Sequence, residues 1–194
     1  GFMEFFKEYR VKQVSLNRLA ELHEQSAPVE RPVKALAPFE TLSCENLGFA
    51  YGDKRVLDGF SLEIRRGERV LITGENGSGK STLARLLAGL LEPEGGAIRY
   101  NGEDIQMIDP AALRERVLLA PSEPFIISGT ARDNLWNGAD EETLRRAGID
   151  KPIEKGGGNL SNGQRKRLQL CRALASKAEV VIFDEPFNFI DRGA

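Results

Sequence analysis

The chain of 194 residues has little of what several kinds of protein site require. Its two cysteines, Cys44 and Cys171, lie far apart and outside any C-x-x-C pair. That usage fits a reducing compartment and argues against a disulfide framework or a zinc site. A single histidine, His23, makes a histidine-based catalytic or metal centre unexpected.

Long apolar runs and an excess of one charge are also lacking. The sequence contains no run of about 18 apolar residues, which a membrane-spanning helix would need. Its N-terminus lacks the apolar core of a signal peptide. Lysine and arginine number 27 against 29 aspartate and glutamate residues, so the charge balance predicts no nucleic-acid partner. The length allows one substantial domain with an appended element.

A glycine-rich segment after Thr73 matches G-x-x-x-x-G-K-[ST], the phosphate-binding loop. We predict a buried strand at Arg69–Thr73 before it and a helix through Leu83–Leu90 after it. Lys80 is expected to reach the β- and γ-phosphates and Ser81 to hold Mg²⁺. These flanking elements make a plain surface turn a weak alternative, so the sequence predicts a site for a nucleoside triphosphate. Its predicted residues are Gly74, Glu75, Asn76, Gly77, Ser78, Gly79, Lys80, Ser81 and Thr82.

Two carboxylates follow an apolar run at Val180–Phe183, which reads as a buried strand of a parallel sheet. Ligands in such sheets bind at the carboxyl ends of the strands. Asp184 is therefore expected to hold Mg²⁺, directly or through water, and Glu185 to accept a proton from the attacking water. The alternative is a strand that ends in two solvated acids.

Ser161 and Gln164 have the spacing of a capping box at the start of a helix that runs to about Ala175. A helix start with free N–H groups is a second place where a phosphate can bind. A simple capped helix is the alternative.

Further turn and strand patterns predict the rest of the architecture. Three regions are expected: an amphipathic helix at residues 1–25, a proline-rich linker at 26–40 and a domain at 41–194. Within that domain we predict β-structure at Leu42–Tyr51 and Phe60–Ile64, a hairpin turn at Asn101–Gly102, a helix start at Asp109–Pro110, a strand at Val117–Ala120 and a helical region at Thr130–Ala147.

The phosphate loop, the Leu-Ser-x-Gly-Gln helix start and the apolar-Asp-Glu strand occur in the order found in ATPase domains of ABC transporters, which residues 41–191 resemble. The resemblance implies an α/β fold, a P-loop NTPase core with a mostly parallel sheet, an antiparallel β subdomain and a small helical subdomain. It implies ATP and Mg²⁺ as ligands and a head-to-tail pair with a second ABC ATPase domain. Tyr51 matches the aromatic residue that stacks on adenine, although it could equally be a core aromatic at a strand end. The resemblance also implies a set of signature residues that act on the ATP bound by the partner domain. These are Leu160, Ser161, Asn162, Gly163 and Gln164.

The segments around Gly96–Ile98 and Ser128–Thr130 resemble the exporter subfamily in particular. That resemblance implies an ATP-hydrolysing motor at the cytoplasmic face of the cell membrane, with a transmembrane domain upstream in the same polypeptide. A regulatory nucleotide-binding half with little hydrolysis is the main alternative. A phosphate-loop kinase of small molecules is a remote one, and a chromosome ATPase would need long heptad arms that the sequence lacks.

The chain departs from the exporter pattern at several positions. Ser122 stands where exporters carry a glutamine that reaches Mg²⁺ and the attacking water, and Asn162 replaces a glycine of the signature. Only Asp191 is kept of the loop that contacts the partner domain. A further strand and a switch histidine are expected beyond Ala194, so we expect residues 41–194 to lack the C-terminal part of the domain.

Overall fold

The computed structural model describes residues 36–135 and 139–185, all within one unit that begins at Pro32. Two short 3₁₀ helices, Ile105–Met107 and Lys155–Gly157, supplement the regular elements. In chain order these elements are β1 (Thr41–Tyr51), β2 (Lys54–Arg65), α1 (Lys80–Leu87), β3 (Gly95–Tyr100), β4 (Glu103–Asp104), α2 (Pro110–Arg116), β5 (Val117–Ala120), α3 (Ala131–Asn134), α4 (Glu141–Ala147), α5 (Asn162–Ala175) and β6 (Val180–Phe183).

Four strands form an antiparallel sheet in the order β2-β1-β3-β4. Strands β1 and β2 form a hairpin, with Leu42 opposite Ile64. The predicted turn at Asn101–Gly102 is confirmed: both residues have positive φ angles, 51° and 81°, as a tight two-residue hairpin turn requires. This sheet is the antiparallel β subdomain that the sequence predicts.

Strands β5 and β6 form a separate parallel pair whose register runs from Val117 opposite Val180 to Ala120 opposite Phe183. Both predicted strands are confirmed. The ladder continues one step further, since the Asp184 N–H donates to the Ala120 carbonyl over 2.9 Å. Pro121 and Asp184 therefore leave the sheet at the same edge, which is where ligands bind in parallel sheets.

The apolar side chains form two clusters. The first joins the antiparallel sheet to α1, β5 and β6 and includes the fully buried Leu42, Leu86 and Ile98. The second joins α3, α4 and α5 around Leu168 and forms the predicted small helical subdomain. Cys44 lies in the first cluster and Cys171 in the second, both as free thiols whose pKa is raised by burial.

The predicted helix starts are confirmed by their side-chain caps. Asp109 accepts from the Ala112 N–H with Pro110 at the first helical position. The predicted helical region at Thr130–Ala147 is two short helices, each with its own cap: Thr130 in a capping box before α3, and Asp140 before α4. Local hydrogen bonds of this kind depend on neighbouring residues, which is why sequence predicts them well.

The strand predicted at Arg69–Thr73 is wrong. Within the described residues this segment pairs with no strand, and Val70, Leu71 and Ile72 are 45%, 80% and 38% exposed. A β-branched, apolar pattern indicates only that the side chains suit a pleated, half-buried surface. A strand also needs hydrogen bonds from a neighbouring strand, and the pattern does not show whether such a neighbour is present.

Several predictions fall outside the described residues: the helix at 1–25, most of the linker at 26–40, and Asp191. The last linker residues, 36–40, are irregular, and Phe39 packs into the first apolar cluster with 4% exposure. Among the helices at 36–135 and 139–185, none combines the length and apolar character needed to cross a bilayer.

Candidate nucleotide-binding site

The phosphate loop leads directly into α1. Gly79 caps the helix with a φ of 92°, in the left-handed region that favours glycine. A β-carbon there would lie 2.8 Å from Val56 Cγ1, and one on Gly74 would lie 2.9 Å from Ser78 Oγ. Gly79 is favoured by its backbone conformation and by the close approach of Val56, whereas a β-carbon on Gly74 would meet only the end of the Ser78 side chain. The first-turn N–H groups of α1 lie at the end of the loop.

The Lys80 ammonium lies at the centre of this loop. Its Nζ donates to the carbonyls of Gly74 and Glu75 over 2.9 and 2.6 Å, and to Ser78 Oγ over 3.5 Å. The loop therefore holds one positive charge next to the N-terminus of α1, where the helix dipole adds a partial positive charge. This arrangement suits a phosphate group.

Ser81 and Asp184 are brought together although they are 103 residues apart. The Ser81 hydroxyl donates to Asp184 Oδ1 over 2.9 Å, and the Asp184 side chain is buried, with 8% exposure. The contact connects the first turn of α1 to the end of β6. It places the two predicted metal-holding side chains at one point beside the phosphate loop.

Glu185 follows at the same edge and is exposed. Its φ of 52° is unusual for a residue other than glycine. Its carbonyl accepts from Lys166 Nζ over 3.4 Å. The predicted base thus stands next to the buried Asp184, at a backbone position with a left-handed φ.

Tyr51 lies at the end of β1 and is 49% exposed. Its ring meets Phe49 edge to face, with ring centroids 4.9 Å apart. Because about half of the side chain faces solvent, Tyr51 is not a core aromatic, and its free surface is available for stacking on a flat ligand.

The signature residues form a capped helix start, as predicted. The Ser161 N–H donates to Gln164 Oε1 over 2.9 Å, and the Gln164 N–H donates to Ser161 Oγ over 3.2 Å. Leu160 is buried, whereas Ser161 and Asn162 are exposed. Asn162 is the first residue of α5 and does not need a positive φ, so its side chain replaces glycine without backbone strain.

Residues 121–125 run along one face of α5, which the sequence reasoning missed. The Ser122 carbonyl, rather than its hydroxyl, accepts from Lys166 Nζ over 2.7 Å. Gln169 donates to the Pro121 carbonyl and Arg172 to that of Phe125. The one signal in the sequence is Gln169, a polar residue inside the otherwise apolar run from Leu168 to Cys171.

The donor set at this site fits Mg²⁺ and a triphosphate. Mg²⁺ is usually bound by one or two protein oxygen ligands together with phosphate oxygens and water, and Ser81 and Asp184 supply one hydroxyl and one carboxylate. The described residues contain no cluster of three or more histidine, cysteine, aspartate or glutamate side chains that would suggest a protein-only metal cage.

Comparison with known proteins agrees with this geometry. The family model for "ABC transporter" matches residues 57–188. The chain is 32% identical, over an alignment of 199 positions, to the mycobactin import ATP-binding/permease protein IrtB of Mycolicibacterium thermoresistibile. That alignment covers 92% of this chain and 34% of that protein. It is 34% identical to the glutathione/L-cysteine transport system ATP-binding/permease protein CydC of Escherichia coli, covering 90% of this chain and 34% of that protein.

A solved structure, that of a bacterial Atm1-family ABC exporter with ATP bound, superimposes with a TM-score of 0.77 at 26% identity. The match covers 95% of this chain and 36% of that one. The chain thus spans about a third of the length of the relatives it matches. From the phosphate loop, the acidic pair, the fold and these matches together, the chain belongs to the ABC transporter family, as an exporter-like ATP-binding domain.

Proposed function

We propose that this domain binds Mg-ATP and hydrolyses it to power transport by a membrane protein of which it is the motor. The observation that carries the proposal is the hydrogen bond between Ser81 and Asp184. It joins the phosphate loop to the acidic pair, so that one site contains groups for holding phosphate, metal and the attacking water. ATP binding and hydrolysis are general in the family to which the chain belongs.

Each group has a separate task in this proposal. Lys80 and the N–H groups at the N-terminus of α1 bind the phosphates, and the positive charge of both stabilises the negative charge of the phosphates. Ser81 and Asp184 would hold Mg²⁺, which supplies charge neutralisation on the phosphate oxygens when it is bound. Glu185 orients a water molecule and takes its proton as the water oxygen bonds to the γ-phosphorus, while the bond from that phosphorus to the oxygen bridging the β-phosphate breaks and ADP leaves. Tyr51 stacks on the adenine ring.

The site is completed by a second ABC ATPase domain in a head-to-tail pair. The capped start of α5, with Ser161 and Gly163, faces the γ-phosphate of the ATP held by the partner. Such a two-fold arrangement uses each copy twice, once for the phosphate loop and once for the signature residues. Loss of the γ-phosphate removes the bridge between the two domains and lets them separate.

The relatives support a membrane partner and a membrane location for this domain. Both named relatives are ATP-binding/permease proteins, which supports a transmembrane domain in the same polypeptide and a position at the cytoplasmic face of the membrane. One of them is named for import, so transport direction is not part of the proposal. No feature of residues 36–135 and 139–185 favours the regulatory half or the small-molecule kinase.

Two substitutions test the proposal. Lys80→Ala should abolish Mg-ATP binding measured by calorimetry on the purified chain, because it removes the charge at the centre of the loop. Glu185→Gln in the assembled transporter should keep Mg-ATP binding, trap the paired domains and lower turnover by about 10²–10⁴-fold, the usual contribution of a general base. Unchanged affinity in the first variant, or persisting turnover in the second, would contradict the corresponding assignment.

A further inference from the structure

Lys166, on α5, is a buried lysine whose partners are all backbone carbonyls. It is 6% exposed, and its Nζ donates to the Ser122 carbonyl over 2.7 Å and to the Glu185 carbonyl over 3.4 Å. Within the described part of the chain it forms no ion pair. A lysine ammonium is seldom buried, because removing the charge from water is unfavourable unless hydrogen bonds replace the lost hydration. Its position therefore calls for an explanation.

Two other side chains on the same face of α5 also bind backbone carbonyls of residues 121–125. Gln169 and Arg172 follow Lys166 at intervals of three residues, which places the three side chains along one side of the helix. Gln169 binds the Pro121 carbonyl and Arg172 the Phe125 carbonyl. All three side chains thus hold the backbone of residues 121–125 against α5. Lys166 also reaches Glu185, the predicted base.

The backbone of Glu185 is in a conformation that needs support. Its φ of 52° lies in the left-handed region, which is unfavourable by about 1–2 kcal/mol for a residue with a β-carbon. Such a conformation persists only where the surroundings impose it. The direction in which the Glu185 side chain leaves the chain depends on this backbone turn, and the Lys166 ammonium is bound to the carbonyl at its end.

We propose that Lys166 is a positioning residue for hydrolysis: by binding the Ser122 and Glu185 carbonyls at once, it joins α5 to the backbone turn that aims Glu185. The proposal rests on the role of Glu185 given above. A lysine suits this position because one ammonium group donates up to three hydrogen bonds in different directions. The same helix begins with the signature residues, so the proposed link connects the helix that carries them to the turn at Glu185.

The test compares Lys166→Met with Gln169→Leu in the assembled transporter. The first substitution removes both links, whereas the second removes a link to the same loop without touching Glu185. For Lys166→Met we expect kcat to fall by about 10–100-fold, the effect of displacing a catalytic group by about 1 Å. KM and the calorimetric affinity for Mg-ATP should stay within about 2-fold, since the phosphate loop is unchanged.

Gln169→Leu should lower kcat much less, and Lys166→Arg, which keeps a charged donor, should recover part of the activity. Lys177→Met, an exposed lysine after the end of α5, is the matched control and should leave kcat unchanged.

A double variant gives the second readout. If Lys166 acts through Glu185, then Lys166→Met with Glu185→Gln should be no slower than Glu185→Gln alone, since groups that act as a unit are not additive. If the methionine variant melts below the wild type, Lys166→Gln replaces it. The glutamine amide nitrogen lies one bond closer to the backbone than the lysine Nζ, so we expect it not to bind both carbonyls and kcat to fall again.

Three results would overturn the proposal: wild-type kcat in Lys166→Met or Lys166→Gln, an equal fall in Gln169→Leu, or additive losses in the double variant. A Glu185→Gln variant that turns over normally would instead contradict the role of Glu185 itself.

Discussion

The contact between Ser81 and Asp184 makes a quantitative prediction about stability and metal binding. The hydroxyl donates to a carboxylate over 2.9 Å, and Asp184 is 8% exposed. Hydrogen bonds to charged groups contribute about 1.5–3 kcal/mol. Because Ser81 is only half-buried, we take the lower end of that range and expect a coupling free energy of about 1–2 kcal/mol between the two side chains.

A double-mutant cycle measures this coupling. Urea unfolding of the nucleotide-free protein is followed for the wild type, Ser81→Ala, Asp184→Ala and the double variant, and the coupling is the departure from additivity. Ser81→Ala combined with Asp109→Asn is the control, since Asp109 caps a different helix and binds Ala112. That pair should be additive within about 0.5 kcal/mol. A coupling below about 0.5 kcal/mol for Ser81 and Asp184 would refute the placement of the two predicted metal ligands at one point.

The same variant separates metal binding from phosphate binding. Ser81→Ala should weaken the affinity for Mg-ATP by about tenfold or more, equivalent to about 1.4 kcal/mol, because it removes one of the two proposed oxygen ligands. Its affinity for ATP in the presence of a chelator should change little, since Lys80 and the loop remain. Equal weakening with and without Mg²⁺ would show that Ser81 supports the loop and does not bind metal.

Two further predictions concern the edges of the domain. Tyr51→Ala should weaken ATP binding by about 5–150-fold, the range given by about 1–3 kcal/mol for a stacked base. Tyr51→Phe and the exposed control Phe125→Ala should bind ATP normally in the same titration. Wild-type affinity in Tyr51→Ala would exclude adenine stacking there. Burial acts to raise the pKa of Glu179, but hydrogen bonds from the Phe39 N–H and the Tyr100 hydroxyl, together with the nearby Arg116, outweigh it and hold the pKa below its usual 4.5. The stability from this carboxylate is therefore present above pH 4.5 and is lost as pH falls through the lower folded pKa. Glu179→Gln should thus lower the urea midpoint at neutral pH and match the wild type once the folded-state carboxylate is protonated; a difference that persists at low pH would assign the effect to packing.

The features that sequence predicts correctly are those set by near neighbours. The caps at Asp109, Thr130 and Ser161 each bind an N–H three residues ahead, and the Asn101–Gly102 turn follows from the ease with which these two residues adopt positive φ. The approach of Ser81 to Asp184 is long-range, yet it was expected because parallel strands bring their carboxyl ends to one edge.

The failures have the opposite origin. Arg69–Thr73 carries a strand pattern but pairs with no strand among the described residues, because a ladder depends on a partner that the segment itself does not encode. The contacts of Lys166 and Gln169 were missed for a related reason: their acceptors are backbone carbonyls 44 and 48 residues away. Every residue has such a carbonyl, so no residue type marks it in the sequence.

The contacts of Lys166 and the capped start of α5 bear on whether Ser122 and Asn162 are compatible with hydrolysis. The side chain of Ser122 is shorter than that of the glutamine that exporters carry at this position. In the structure its carbonyl is bound by Lys166, which also binds the Glu185 carbonyl. Asn162 lies in an ordinary helical turn and leaves the capping box intact. If Lys166 positions Glu185 as proposed, the loop is connected to the base through backbone and a lysine on α5, and a short side chain at position 122 is compatible with hydrolysis. Ser122→Gln in the assembled transporter should then leave ATP turnover unchanged or raise it, because Lys166 binds the backbone carbonyl of residue 122 and not its side chain; a clear fall in turnover would contradict this.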